Sequence, residues 1–440
     1  MEENKLPKVL SVSLSTWRSD SGIHTQTDLF KFWDPDRLAQ IYTKSDLPST
    51  PVCNRFFQIS ENAVIKSVLN RRPVGKRVEN GALADDETKK AMAEESALYS
   101  KAHKRKSWLM TIARELVWRL GRWKTKELDA FVRDFDPDVY FIPIYPVAYM
   151  GRLQLHLLKK HPRPYVCYLS DDNYSYRACG KNIFSYIHRF MLRKVVKKLA
   201  KGSDEMFTIT KTEAEDTDRL FGTHSVVLTK GIDYSSLTFC EKAPELPIRM
   251  VYTGKMIIGR GRSLVEIARA ISKINKDGER ITLDIYSPDL MDERAMRELN
   301  SGGTRFHGAV SKDEVAAIQE RADIAVFVES LEPEYRYAAR LSFSTKLTDY
   351  FKSGKCIFAI GDKDIAPIEY LREENAAIIS TEYADIEKNL RLLLDDPSLI
   401  TEYGKRAFEC GKRNHDEPII KERFISTIKR AAEKNEGKTK

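Results

Sequence analysis

Val251-Tyr-Thr-Gly-Lys-Met-Ile-Ile-Gly-Arg-Gly-Arg-Ser-Leu264 is the stretch on which the fold turns. An apolar, β-rich run ends at Gly254, a loop rich in glycine and base follows, and a helical pattern begins near Ser263. Glycine lets a backbone approach a ligand closely. Lys255 and Arg260 add positive charge at the C-terminal edge of the strand, where open α/β sheets bind ligands. The same letters also fit an ordinary strand-to-helix turn with solvated bases, so the surroundings have to decide.

The surroundings alternate. Strands are expected upstream over Lys8–Leu14, Val139–Tyr145, Tyr165–Ser170, Glu205–Thr210 and Ser225–Leu228. Downstream they are expected over Arg249–Thr253, Ile281–Ser287, Arg305–Gly308, Ile324–Glu329, Cys356–Ile360 and Ala377–Ser380. Several are nearly unbroken apolar runs, as parallel strands buried on both faces require. Helical spacing fills the intervals, as in the stripe Leu264, Ile267, Ala268, Ile271 and Ile274. This alternation predicts doubly wound α/β domains, and two sheets accommodate so many strands better than one.

A chain of 440 residues holds two or three domains. The polar, proline-bearing stretch after Lys230-Gly-Ile-Asp233 sets the break near Tyr234–Pro247. The expected division is 1–235, 236–412, and a C-terminal helix over 413–440 packing back toward the first domain. Arg71–Glu95 shows no clear strand and reads as an insertion or mobile loop.

Apolar residues at 42% and charged residues at 31% describe a folded chain rather than a disordered one. The longest apolar stretch, Val139–Met150, contains Pro143 and Pro146 and is too short to span a bilayer. The first residues carry acids where a signal peptide needs bases, so the expected compartment is the cytoplasm. The six cysteines form no CxxC pair and no cluster with histidine, against both a disulfide framework and structural zinc. The net charge of +9 is concentrated: Arg55–Lys126 holds 17 Lys/Arg against 8 Asp/Glu, an excess equal to the whole chain's. Such a segment reads as a patch for an anionic partner.

A second element is Phe343-Ser-Thr-Lys-Leu-Thr-Asp-Tyr-Phe-Lys-Ser-Gly354. Ser344 suits an N-cap, Leu347, Tyr350 and Phe351 can face a core, and Gly354 suits the residue past the helix end. Such a helix aims its positive dipole end at whatever precedes it. Lys346 in the first turn opposes that dipole unless an anion is bound there. Asp349, one turn on, can accept from ribose hydroxyls.

Taken in order, these pieces resemble family 4 glycosyltransferases, which have the GT-B fold of two Rossmann-like doubly wound domains facing across a cleft. The matching segments are YTGKMIIGRGRSL, LDIYS, RFHGAVSKDEVAAI, RADIAVFVES and FSTKLTDYFKSGKCIFAIG, and the likeness extends from about Ser203 to the C-terminus. The resemblance implies a nucleotide-sugar donor whose diphosphate meets Lys255, Arg260, Ser344, Thr345 and Lys346. It implies a ribose contact at Asp349 and a base held by loops at Ser287, His307, Gly308 and Val310. Asp349 stands where the family has Glu. The first Glu of the family's E-x7-E pattern falls on Leu341, which cannot serve. Transfer with retention of configuration is implied by the resemblance alone.

In the first half, Ser15-Thr-Trp-Arg-Ser-Asp-Ser-Gly-Ile-His24 follows the first strand, with Gly22 and His24 as candidate cleft residues. The alternative there is a turn glycine and an exposed histidine. Pro164–Ser170 delivers Asp171-Asp172 to the sheet edge. Asp171 is the candidate catalytic carboxylate, able to position an acceptor hydroxyl or act as its base, and Asp172 a cap or a solvated residue. Asp134-Phe-Asp136 and Asp136-Pro-Asp138 match a metal-binding DxD motif by letter but precede a strand rather than follow one. No metal or other cofactor is therefore expected, and bases would neutralise the diphosphate.

The expected function is sugar transfer from a nucleotide sugar to a glycan or lipid-linked acceptor, in bacterial cell-surface polysaccharide synthesis. A sugar-nucleotide epimerase on the same plan is the alternative enzyme. A basic nucleic-acid-binding protein is the alternative from another class, but no nucleic-acid motif is present and nucleic acid is not an expected partner. Ile187–Lys201 is amphipathic with a basic face, and its apolar side is expected in the core. The clusters Arg71-Arg72, Lys76-Arg77 and Lys104–Lys106 lie near Trp108, Trp118 and Trp123. They suggest that Arg55–Lys126 docks on an anionic membrane, with the tryptophans as interfacial anchors.

Overall fold

The computed structural model describes residues 5–19, 25–86, 88–90, 92–95, 108–180 and 182–436. The chain divides into two compact units, Met1–Leu228 with Lys421–Lys440, and Thr229–Ile420.

In the first unit, β1 (Val9–Ser13), β2 (Leu38–Tyr42), β3 (Arg55–Gln58), β4 (Lys76–Val78), β5 (Val139–Pro143), β6 (Tyr165–Leu169), β7 (Glu205–Thr208) and β8 (Ser225–Val227) make one sheet. Its order is β4-β3-β2-β1-β5-β6-β7-β8. Only the β3–β4 pair is antiparallel. β1, β2 and β5 are buried along their whole length, the polar Ser11, Ser13 and Gln40 included, so the sheet is covered on both faces there.

Sequence periodicity misses β2, β3 and β4. Gln40 interrupts the apolar run of β2, and β3 and β4 are too short for a period to register. The expectation of no strand in Arg71–Glu95 is thus corrected. Lys76 and Arg77 form an exposed edge strand against β3, and the N–H of buried Val74 donates to the Arg122 carbonyl at 3.0 Å.

Two further expectations change. Trp118 and Trp123 are 2% and 4% exposed, Trp118 stacks on Tyr149 at 4.3 Å, and the Trp123 indole donates to the Trp118 carbonyl. They are core residues, not interfacial anchors. Lys104–Lys106 and the side chain of Trp108 lie outside the described residues. The helix Ile183–Gly202 buries Leu192, Val196, Leu199 and Ala200, but Ile187 and Phe190 are exposed. The apolar side of its first half is therefore outside the core.

The last helix, Glu417–Glu436, sends Phe424 into an aromatic cluster of the first unit. Its ring centroid lies 4.9 Å from Phe30, 5.6 Å from Phe207, 5.8 Å from Trp33 and 6.0 Å from Phe141. Edge-to-face packing of this kind is favoured by the ring quadrupole, and truncating such a buried ring costs about 3–5 kcal/mol.

The second unit holds β9 (Ile248–Thr253), β10 (Ile281–Tyr286), β11 (Thr304–Gly308), β12 (Ile324–Val328), β13 (Cys356–Ile360) and β14 (Ile378–Ser380). They run β11-β10-β9-β12-β13-β14, all parallel. Each sheet reverses its winding once, between β1 and β5 in the first unit and between β9 and β12 in the second. Loops leave such a switch point in opposite directions and open a crevice at the C-terminal strand ends.

Candidate functional site

At the switch point of the second unit, β9 is followed by Gly254 and β12 by Glu329. A Cβ on Gly254 would lie 1.7 Å from the Lys346 ammonium nitrogen. The missing side chain is what lets that ammonium reach the strand end. Lys346 Nζ also lies 4.7 Å over the Tyr252 ring, whose hydroxyl donates to the Lys255 carbonyl at 2.6 Å. Burial, reinforced by the Arg260 charge and opposed by Glu329, pushes the Lys346 pKa down to about 8.

Arg260 is the first residue of the helix Arg260–Ile274, which begins ahead of the expected Ser263. Its Nε and Nη2 donate to the two carboxylate oxygens of buried Glu329 at 3.0 and 2.8 Å. A forked pair fixes the guanidinium in one orientation. The Ser263 hydroxyl donates to the Glu329 carbonyl at 3.2 Å, and the Met256 N–H to Asp289 at 2.7 Å. Within the Lys255–Gly259 loop, Ile258 adopts φ +58°, strained for a β-branched residue. Lys255 itself is exposed and has no ion pair among the described residues.

The helix Thr345–Ser353 follows. The Ser344 hydroxyl accepts from the Lys346 N–H at 3.4 Å, Leu347, Tyr350 and Phe351 are buried, and Gly354 ends the helix at φ +63°. The Tyr350 hydroxyl donates to the Val326 carbonyl and ties the helix to β12. Thr345 and Asp349 are exposed, and Leu341 is buried. Beside this group, the Ser287 N–H donates to the Gly308 carbonyl at 2.8 Å, which joins the loop after β10 to the end of β11. His307 stacks on Tyr286 at 4.6 Å and meets Asp284 at 2.6 Å, and Val310 is half-buried.

The fold thus brings Lys346 against Tyr252 and Gly254 and forks Arg260 onto Glu329; with exposed Lys255 the three bases exceed the two acids, Glu329 and Asp289, at the strand ends. Glu329 was missed by sequence reasoning. The available signal was an acid closing the wholly apolar strand Ile324–Val328.

The first unit's switch point is built from neutral groups. The Gln154 amide donates to the carbonyls of Val12 at 2.9 Å and Pro143 at 2.8 Å, where β1 and β5 part. Gln40 accepts from the Trp17 N–H and donates to Ser13 and the Ser15 carbonyl, shaping the loop after β1. Asn173 donates to the Ile144 carbonyl at 3.2 Å. Asp171 is exposed at the end of β6, whereas Asp172 accepts from the N–H and hydroxyl of Ser175 and caps a turn. Gly22 and His24 lie outside the described residues.

The DxD letters fall before β5, where bases take each acid: Arg77 pairs with Asp134, Arg163 with Asp136, and the Lys8 N–H and Arg37 with Asp138. No three acid, His or Cys side chains converge as a metal site among the described residues. No helix among them is long and apolar enough to cross a membrane.

The sequence matches no family model and no curated protein. Its structure is similar to that of HepE from Anabaena in complex with UDP, with a TM-score of 0.56, 10% identity, and 96% and 99% of the two chains covered. It is similar to sucrose-phosphate synthase from Thermosynechococcus elongatus, with a TM-score of 0.58, 11% identity, and 95% and 98% covered. It is also similar to α,α-trehalose 6-phosphate synthase from Burkholderia multivorans, with a TM-score of 0.58, 10% identity, and 99% of each chain covered. The fold is that of GT-B glycosyltransferases, with two Rossmann-like units in one chain.

Proposed function

We propose that the protein is a glycosyltransferase that takes a sugar from a UDP-sugar, with the donor held by the second unit. The observation that carries this reading is the cation cluster of Lys346 and Arg260 at the C-terminal strand ends of a switch point. A half-buried, partly desolvated ammonium beside an oriented guanidinium suits a diphosphate, and water-poor surroundings strengthen the attraction. The choice of UDP is supported by the UDP and UDP-glucose complexes of HepE.

In this reading Lys346 and Lys255 neutralise the negative charge that grows on the departing diphosphate. Arg260, oriented by Glu329, clamps it. Ser344 and Thr345 at the helix start add hydrogen-bond donors, Asp349 takes the ribose, and the loops at Ser287 and His307–Val310 hold the base. These bases take the neutralising role without a metal. Asp171 positions or deprotonates an acceptor hydroxyl on the first unit. Catalysis then rests on positioning and leaving-group stabilisation. The acceptor is a glycan or a lipid-linked sugar of bacterial cell-surface polysaccharide synthesis, and the resemblance to family 4 supports retention.

A thermal-shift comparison of UDP, GDP and ADP tests the donor assignment, because a ligand of the folded state raises its stability. UDP is expected to give the largest shift. The absence of a shift with any of them sinks the donor site. Isomerised donor in the absence of acceptor would favour an epimerase instead.

A further inference from the structure

We propose that the outer face of the helix Ile183–Gly202 docks on an anionic phospholipid surface. The helix has 20 residues, and between its ends lie Arg189, Arg193, Lys194, Lys197, Lys198 and Lys201 but no Asp or Glu. Its inner face is fixed by the buried Leu192, Val196, Leu199 and Ala200. The opposite face is divided lengthwise. In its first two turns Ile183, Tyr186, Ile187 and Phe190 are 64%, 43%, 44% and 52% exposed. In its later turns Lys194, Lys197, Lys198 and Lys201 are exposed. Positions 183, 187, 190, 194, 197 and 201 recur at helical spacing, so both groups share one stripe.

Four large apolar side chains held in water by one surface helix need an occupant. The chemistry of the stripe selects it. Aromatic and aliphatic groups followed by lysines, with no acid among them, match the boundary of a bilayer, where apolar groups enter the acyl edge and ammonium groups meet phosphates. The centres of the two halves are about 16 Å apart along the axis at the rise of an α-helix, so the helix lies flat to satisfy both. The apolar end is also held in place. Tyr176 stacks on Tyr186 at 5.8 Å, and Arg193 lies 3.9 Å from the Tyr174 ring and 4.6 Å from that of Tyr176. Lys194 lies 4.4 Å over the Phe190 ring.

This surface continues into the loop that bears Asp171. Arg189 donates to the Asp172 carbonyl at 2.8 Å and Arg193 to the Tyr174 carbonyl at 2.7 Å. Docking the helix therefore brings the Asp171 loop to the bilayer, where a lipid-linked acceptor resides. That last step rests on the glycosyltransferase reading; the docking itself does not. The surface also replaces Arg55–Lys126 as the membrane face, since Trp118 and Trp123, two of the three tryptophans meant to anchor that segment, are buried.

Vesicle flotation of the full chain, without donor or acceptor, tests the proposal. The protein should float with phosphatidylcholine–phosphatidylglycerol vesicles, remain below with phosphatidylcholine alone, and be released by salt. Ile187→Ser with Phe190→Ser, and separately Lys194→Gln, Lys197→Gln, Lys198→Gln and Lys201→Gln, should each lower the bound fraction by about tenfold or more. Both sets are exposed, so thermal unfolding should not move. Arg71→Gln with Arg72→Gln and Lys76→Gln should float as the parent does. The proposal is overturned if the parent does not float, floats equally with both lipids, or if the helix variants float unchanged. It is equally overturned if the Arg71 set abolishes binding, or if the parent is a dimer that the Ile187/Phe190 variant dissolves. Failure of flotation leaves the donor site standing, and failure of UDP binding leaves the docking surface standing.

Discussion

The two switch points have the same topology and opposite chemistry. Where β1 and β5 part, neutral carboxamides of Gln154, Gln40 and Asn173 satisfy the strand-end carbonyls and the loop backbone. Where β9 and β12 part, Arg260, Glu329 and Lys346 take that position. Parting strands leave backbone groups without ladder partners in both places, and each must be satisfied. Amides do this without charge. In the second unit backbone bonds and the Ser263 hydroxyl take the strand-end groups, and the side chains are left charged: the Glu329 carboxylate fixes the Arg260 guanidinium beside an ammonium held short of full solvation. A doubly wound sheet supplies a crevice; the side chains at its rim decide whether an anion belongs there.

The largest expected effect tests the charged rim. Lys346→Ala should lower sugar-transfer turnover by about 100- to 1,000-fold, as loss of one charge-stabilising group does at such sites. The folded protein should be no less stable in urea, because a poorly solvated ammonium has been removed. Unchanged turnover and UDP affinity would erase the distinction between the two switch points.

Gly254→Ala comes next. The added methyl would occupy the position of the Lys346 ammonium, so this variant should weaken UDP binding by about tenfold or more while retaining every charge. Calorimetric titration separates this from Lys346→Ala, since the proton uptake on binding should change as well as the affinity.

The pH dependence follows from the lowered pKa of Lys346. Without ligand, the folded protein binds fewer protons here than the unfolded chain between about 8 and the ordinary value of 10.5, so this group's contribution to stability rises with pH across that window. A diphosphate reverses the sign because it selects the protonated form. UDP affinity should hold below about pH 8 and then fall, approaching tenfold per pH unit. Lys346→Gln should flatten the profile, and an unaltered slope in that variant would move the titration to another group.

The smallest effect on function belongs to the neutral rim. Gln154→Ala orphans two buried carbonyls and should destabilise the protein by about 1–3 kcal/mol in urea unfolding, with UDP affinity unchanged. A loss of UDP affinity as large as that of Gly254→Ala would show that the two rims are not independent.

Some of this was legible in the letters. The helix Thr345–Ser353, with Ser344 before it and Gly354 after it, is written locally, since capping and glycine preference act within a few residues. The unbroken apolar strands of the second unit are legible for the same reason. β2 is not, because its buried Gln40 looks like a surface residue until the loop after β1 is seen to occupy both ends of its amide. The outward apolar stripe of Ile183–Gly202 is not legible either. Periodicity reports that a helix has two faces, and both faces here carry apolar residues.

The sequence by itself determined the elements: parallel strands buried on both sides, the glycine-bearing turn after β9, the capped helix, and a surplus of base. These depend on neighbours within one or two turns of chain. Tertiary structure alone decided that Glu329, 69 residues from Arg260, would fork onto it, and that Lys346 would lie against Gly254. Parallel strands are joined through long crossovers, so their spatial order is set by packing between distant segments and leaves no local period. The chemistry of a switch point is assembled only when that order forms.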